Sequence, residues 1–425
     1  MEAVIQDPSL VIMMGIAGSG KSTFALKHFV STGVLSSDFF RAMICDNPED
    51  QSVSADAFRL LEQAVRARLS LGRLTVIDAT NIQKASRINF ISLGRKFHIP
   101  RVAILLDMPR EICIRRDRER KRTVGEDVIL RQHRQLQDAL KEIRNEGFNQ
   151  IIHLENPRQA DELIITLNPP PCRREWDEGP FDIIGDVHGC YLELMELLEK
   201  LGWNVTPDGD ATPPPGRKAV FIGDMVDRGP RIVPVLKTVM KLHREGHCLC
   251  LLGNHDWKLL RALRGNKVQV KHGLENSIGQ LQNEGPEFLK ELEEFLQGLP
   301  THYMLDEGRL AVAHGGIPEN MQGRDSRRVR VFTLYGDVTG RTDSHGMPIR
   351  GDWASRYQGK AMVVYGHVAV KRACWHNNTL DIDTGCVYGG QLTALKYPEM
   401  ELLSVKARQV YYPRPTPLQD PQGCP

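Results

Sequence analysis

Residues 181–190 read FDIIGDVHGC, a largely apolar run that ends in Gly-Asp-Val-His-Gly. The apolar part predicts a buried strand, and the glycines predict an abrupt turn out of it. Asp186 and His188 are separated by one residue in an extended loop, so both can face one cation. The same pattern returns four times. KAVFIGD (218–224) runs into GDMVDRGP, with Asp224, Asp227 and Arg228. GNHD supplies Asn254 and His255, AHGG supplies His314 and YGHV supplies His367. Each cluster follows an apolar strand, so the five are expected to gather at one edge of a sheet or two-sheet sandwich with flanking helices.

Those residue types suit a pair of cations. A carboxylate has two oxygens and can bridge two ions, and Asp224 is the candidate. Asp186 and His188 suit the first ion; Asn254, His314 and His367 suit the second. Oxygen and imidazole donors without thiolate favour Mn²⁺, Fe or Ni over structural zinc, and Mn²⁺ is the expected ion. Two such ions activate water and grip a phosphate. Arg228 can make paired hydrogen bonds to phosphate oxygens. His255 can protonate a leaving oxygen, with Asp227 orienting it. The stretch DIDTGCVYGGQLTAL (381–395) reads as a hairpin that brings Asp383 near this site to touch substrate, with a purely structural role equally open.

The N-terminal part carries different chemistry. LVIMMGI (10–16) reads as a buried strand and is followed by GIAGSGKST (15–23) and a helical pattern. This fits G-x-x-x-x-G-K-[ST] in the correct strand-to-helix context. Gly15, Gly18 and Gly20 let backbone N–H groups turn toward phosphates at a helix N-terminus. Lys21 can reach the outer phosphates of ATP, Ser22 can ligate Mg²⁺, and Thr23 adjoins the same site. Asp38 lies past one helix and one short strand, where a carboxylate can take the proton of an attacking hydroxyl; a helix N-cap is the simpler alternative. Arg41, one turn on, could hold an anionic group of the acceptor. In RRDRERKR (115–122), Arg116 and Arg120 share a helix face and could close on the transferred phosphoryl group, or simply face solvent. Asp78, ending the strand LTVIDAT (74–80), fits a Mg²⁺ role or a structural turn.

Short, doubly buried strands such as 74–80 and 101–108 alternate with helical patterns, so this half is a parallel α/β sheet. One helix is expected over 53–70, with Phe58, Leu61, Val65 and Leu69 on its core face, and 150–155 closes the sheet. The expected plan is a P-loop kinase domain over 1–168, a linker at 169–180, a binuclear metallophosphoesterase domain over 181–407 and a loose proline-rich tail at 408–425. An amphipathic helical insertion is expected at 275–298. The formal charge of +2 leaves any anion-binding surface local. Nine scattered cysteines predict reduced thiols in a cytoplasmic protein. No apolar run is long enough for a membrane helix.

The order of GIAGSGKST, SSDFFR (36–41), DATN (78–81), the arginine run, GDVHGC, GDMVDRGP, GNHD, AHGG, YGHV and DTGCVYGG resembles the bacterial polynucleotide kinase-phosphatases of RNA end repair. The second half is similar to calcineurin-like metallophosphoesterases of the phosphoprotein-phosphatase branch, because His367 is followed by Val368 and Ala369 and no second histidine. The resemblance implies a 5′-hydroxyl kinase using ATP and Mg²⁺, joined to a 3′-phosphatase acting on RNA or DNA ends, with 2′,3′-cyclic phosphate as a further substrate. No K-x-D-G motif follows, so a separate RNA ligase is the expected partner, with an RNA ribose methyltransferase and a homodimer left open. Two other readings stand beside it. DTGCVYGGQLTAL also resembles hydrolases of diadenosine tetraphosphate, which would make the P-loop half a small-molecule kinase. The other is a serine/threonine protein phosphatase regulated by a nucleotide-binding domain.

Overall fold

Leu10–Gly15 is buried along its whole length because it is the central strand of a parallel sheet with both faces covered. In a computed structural model, which describes residues 1–119, 123–342, 348–414, 417, 418 and 420, the strand order is Val34–Ser36, Thr75–Asp78, Leu10–Gly15, Arg101–Leu106, Gln150–Leu154. Every neighbouring pair is parallel. Alternate residues of the central strand serve opposite cores. Val11 and Met13 pack with Phe24, Val76 and Ile104, while Leu10, Ile12 and Met14 pack with Leu61, Val65 and Ile77. The chain passes to the two sides of Leu10–Gly15 in turn, so the loop after it opens at the point where strand order reverses. Ligands of open α/β sheets bind at such points.

The helix Ser54–Ser70 differs from expectation at one position. Ala57 is buried with Leu61, Val65 and Leu69, and Phe58 lies at the margin of the face. Small Ala57 lets the helix approach the sheet, which moves the larger ring outward. A parallel pair of strands, Glu2–Gln6 and Ile164–Asn168, accompanies the main sheet.

The chain divides into two compact units, Met1–Pro170 with Arg324–Ser326, and Pro171–Gly323 with Arg327–Pro425. The second is a sandwich of two five-stranded sheets. One runs Cys248–Cys250, Lys218–Phe221, Phe181–Ile184, Gln391–Tyr397, Glu401–Lys406; the other runs His302–Leu305, Leu310–Ala313, Met362–Tyr365, Thr379–Asp381, Cys374–His376. Phe181, Ile183, Val220 and Ile222 meet Leu305, Val312, Val364 and Leu380 between them. Helices Tyr191–Lys200 and Ile232–Arg244 cover the outer face of the first sheet.

Several local expectations change. Residues 381–395 are not a hairpin: Thr379–Asp381 pairs with Met362–Tyr365 in one sheet, and Gln391–Tyr397 pairs with Phe181–Ile184 in the other. Each run is claimed by a different core strand, so the segment crosses between sheets. The insertion is two helices, Leu274–Leu281 and Pro286–Gly298, because Pro286 starts a new helix rather than continuing the old one. Residues 172–177 are tied to the second unit, with Met304 N–H donating to Cys172 O and Arg174 N–H to Met304 O. In the tail expected at 408–425, Arg408, Tyr411, Tyr412 and Arg414 are hydrogen-bonded to the second unit, while residues 415, 416, 419 and 421–425 lie outside the described residues. Among the described cysteines Cys374 is disulfide-bonded, against the expectation of reduced thiols, because spacing along the chain does not limit which thiols meet in space.

Candidate functional site

In the first unit, the loop after Leu10–Gly15 enters the helix Lys21–His28 through Gly20, whose φ of 92° is left-handed. The Lys21 ammonium lies over this loop, donating to Ile16 O at 2.9 Å. Ser22 and Thr23 are exposed at the first turn. Buried Asp78 ends the adjacent strand; burial raises its carboxyl pKa, and the Ser22 hydroxyl and Lys21 oppose the rise. A carboxylate, a hydroxyl and an ammonium therefore meet where a nucleotide's phosphates and a Mg²⁺ ion would sit. The helix Arg110–Arg118 lies directly on the loop. A Cβ on Gly18 would run into Cys113 O, and one on Gly20 would sit 3.4 Å from an Arg116 nitrogen. Arg116 thus faces the loop. The helix ends at Arg118, and Arg120 lies outside the described residues. Buried Asp117 draws the chain back by accepting from Val124 and Gly125 N–H.

Asp38 is not an N-cap. Ser36 caps the helix Ser37–Cys45 by accepting from Asp38 N–H. Asp38 instead holds Arg41, with Nη2 to Oδ1 at 2.5 Å. Its side chain is 68% exposed, whereas that of Arg41 is 9% exposed. Arg41 also donates to Pro48 O at 2.7 Å. Arg41 is therefore buried and paired with Asp38 beside the loop.

In the second unit, every cluster leaves a strand at the same edge of the sandwich. Asp224 lies between two groups, His188–Asp224–His255 and Asp224–His314–His367, whose donor atoms are mutually within 4.8 Å. Its Oδ2 is 3.5 Å from His188 Nε2 and 3.4 Å from His314 Nε2. Each imidazole is fixed by its other nitrogen. His188 Nδ1 donates to Val226 O at 2.7 Å, and His314 Nδ1 contacts Ile222 O at 3.2 Å. Both therefore turn the Nε2 lone pair inward. His314 Nε2 faces Asn254 Oδ1 at 2.9 Å, two acceptors that a shared cation would satisfy.

Asp186 sits beside His367, accepting its N–H at 3.2 Å, and near Asp383, rather than in the compact group around His188. His255 is the third member of that group. Its Nδ1 donates to Asp227 Oδ2 at 2.6 Å and its Nε2 faces Arg228 at 2.8 Å. Arg228 also reaches His188 Nε2 at 2.7 Å, so one guanidinium spans both imidazoles.

The electrostatics fit a cation-binding centre. Burial, then Asp383 and Asp224, push the Asp186 carboxyl well up. Burial, then Asp256, do the same to Asp224. Burial and Arg228 push His188 and His255 well down. Asp383 is raised to about 6 by burial, against the pull of Gly385 N–H, Arg228 and Arg414. Asp186 Oδ1 and His367 Nε2 are buried without a partner. Crowded carboxylates, inward lone pairs and orphaned acceptors are what divalent cations would relieve.

Some functional neighbours carry a sequence signal and some do not. Asp256 belongs to GNHD and binds the 223–227 loop to the 253–256 loop, accepting from Met225 and Gly253 N–H. Ser277 donates to Asp227 Oδ1 at 2.5 Å from fifty residues away (277 − 227), in the insertion, and nothing in the sequence marks it. Tyr388, Tyr412 and Arg414 surround Arg228 or one another at cation–ring distances, two of them from the tail.

Residues 10–143 match the AAA domain family, and residues 179–402 match the calcineurin-like phosphoesterase family. The chain belongs to the calcineurin-like phosphoesterases and carries a P-loop kinase-like domain ahead of that fold. Its C-terminal part is close to the PrpE proteins. It is 43% identical over 235 residues to the bis(5′-nucleosyl)-tetraphosphatase PrpE [asymmetrical] of Anoxybacillus flavithermus, covering 54% of this chain and 96% of that protein. The figures for Halalkalibacterium halodurans PrpE are 45% over 233 residues, 54% and 94%. For Bacillus subtilis PrpE they are 44% over 235 residues, 54% and 96%. These relatives carry the dinucleotide-hydrolase description that the sequence offered as an alternative, and not the RNA end-repair description. Among the described residues no helix is long and apolar enough to cross a membrane.

Proposed function

We propose that the second unit hydrolyses dinucleoside tetraphosphates asymmetrically, and that the first transfers the γ-phosphate of ATP to a hydroxyl acceptor. The observation that carries the first part is the match to PrpE proteins across 94–96% of their length. Asp186, His188, Asn254, His314 and His367 would hold two divalent cations with Asp224 between them, and such cations supply an activated water and neutralise phosphate charge. Arg228 donates to the oxygens of the attacked phosphate. Attack breaks one terminal P–O–P linkage, leaving a nucleoside monophosphate and a nucleoside triphosphate. His255 Nε2, unprotonated where it faces Arg228, would take up the proton released by the attacking water and pass it to a departing oxygen that needs one, and Asp227, braced by Ser277, holds the ring for that transfer.

In the first unit Lys21 and Arg116 would stabilise the moving phosphoryl group, Ser22 and Asp78 would hold Mg²⁺, and Asp38 would accept the acceptor's proton. RNA end healing remains a second reading for one reason. The exposed Asp38 carboxylate can be approached by an acceptor as bulky as a polynucleotide 5′ end.

The test is direct competition. The protein, with Mn²⁺, Mg²⁺ and ATP, is given diadenosine tetraphosphate and an oligonucleotide bearing 5′-OH and 3′-phosphate. A kcat/KM for the dinucleotide well above that for the 3′-phosphate supports the hydrolase reading. Repair of both oligonucleotide ends with an intact dinucleotide overturns it.

A further inference from the structure

Proline-rich residues following a last sheet strand would ordinarily trail into solvent. Here the chain beyond Glu401–Lys406 is pinned. Arg408 N–H and the Tyr411 hydroxyl both donate to the buried Glu193 carboxylate, at 3.0 and 2.8 Å. Tyr411 and Tyr412 N–H donate to Val387 O at 3.1 and 3.0 Å. Arg414 donates to Ala369 O at 3.1 Å. These tethers come from three separate parts of the second unit, so the segment has one course.

That course carries Tyr412 and Arg414 to the candidate metal centre. The Arg228 guanidinium carbon lies 5.3 Å from the Tyr388 ring centre and 6.0 Å from that of Tyr412. The Arg414 carbon lies 5.5 Å from the same Tyr388 ring. Arg228 Nε is buried with no partner. Starting at His188 and His255, the order is therefore guanidinium, two half-buried aromatic rings, guanidinium. A monophosphate ester is fully served by the first guanidinium. Alternating cations and rings suit a ligand with further phosphates and a base, since guanidinium pairs with phosphate and aromatic faces stack with bases.

We infer that Tyr388, Tyr412 and Arg414 form a subsite for the distal nucleotide, base and phosphate, of a dinucleoside polyphosphate, and that the 408–414 segment is its specificity element. This rests on the hydrolase reading above. Tyr412 holds the base by its ring face, and Arg414 holds a bridging phosphate away from the attacked one.

The experiment measures kcat/KM for diadenosine tetraphosphate and for p-nitrophenyl phosphate, which has no distal nucleotide, in the full chain with Mn²⁺. Tyr412→Ala should lower the ratio of the two roughly tenfold, the order expected for one lost base–ring stack, chiefly through KM for the dinucleotide. Tyr412→Phe should keep the ratio, and Arg414→Gln should lower it. If Tyr412→Ala leaves the ratio unchanged, or lowers both activities equally, the subsite is overturned and the hydrolase reading stands. If the wild-type protein hydrolyses p-nitrophenyl phosphate and leaves the dinucleotide intact, both fall.

Discussion

Asp224 is the residue on which the second unit turns, because its carboxylate faces both histidine groups. Asp224→Asn should weaken binding of both cations more than about 100-fold, beyond what loss of an outer partner costs. Native mass spectrometry should show two divalent ions on the wild-type chain and none on the variant at equal metal concentration; two retained ions would contradict the shared ligand. His255 offers a test of leaving-group chemistry. An alkoxide needs a proton as it departs, and a nucleoside polyphosphate barely does. His255→Ala should therefore slow p-nitrophenyl-free alkyl phosphates roughly 10²–10⁴-fold and the dinucleotide less than about tenfold. Equal losses would remove His255 from proton transfer. Most of these residues were legible because each Asp, Asn or His follows an apolar strand and so reaches a common edge. The burial of Arg41 was not legible because burial is set by its neighbours rather than by its type. Ser277 was invisible because a lone serine in a distant helix carries no chemical pattern.

At the scale of elements, the helix Arg110–Arg118 depends on the absence of a side chain at Gly18. The backbone there has φ 76°, and a Cβ would meet Cys113 O. Gly18→Ala adds the left-handed penalty of about 1–2 kcal/mol and must displace the helix that carries Arg116. ATP affinity should fall roughly tenfold or more by calorimetry, and unchanged affinity would show that the helix does not hold the loop. The parallel strands of the first unit were legible as short runs apolar on both faces. The crossing segment at 381–395 was not. Two strands joined by a glycine-rich loop look the same whether they pair with each other or with different sheets, and only the long-range partners decide. The same applies to the anchored segment 408–414, whose tethers are a buried glutamate and two carbonyls more than twenty residues away.

Over the whole molecule, the P-loop and the histidine–aspartate centre lie in two different compact units. Asp38→Ala should abolish phosphoryl transfer and leave hydrolysis intact, and Asp224→Asn should do the reverse; loss of both by either change would refute separate sites. Acid sensitivity has an identifiable source outside them. His302 is buried, accepts from Gly323 N–H through Nε2, and its pKa is lowered by burial from 6.5 to about 3. Below pH 6.5 the unfolded imidazole takes up a proton that the folded one refuses, so stability falls as the pH drops from 6.5 toward 3. The slope is at most about 1.36 kcal/mol per pH unit. The midpoint of heat inactivation of the hydrolase should drop between pH 7 and 5, and His302→Asn should flatten the drop. Parallel curves would assign the sensitivity elsewhere. The substrate itself turns on product analysis in ¹⁸O-enriched water, with diadenosine tetraphosphate and Mn²⁺. Asymmetric hydrolysis yields ATP and AMP in equal amounts, with ¹⁸O in only one product of each cleavage. Two molecules of ADP, or an intact dinucleotide beside a dephosphorylated oligonucleotide, would contradict it.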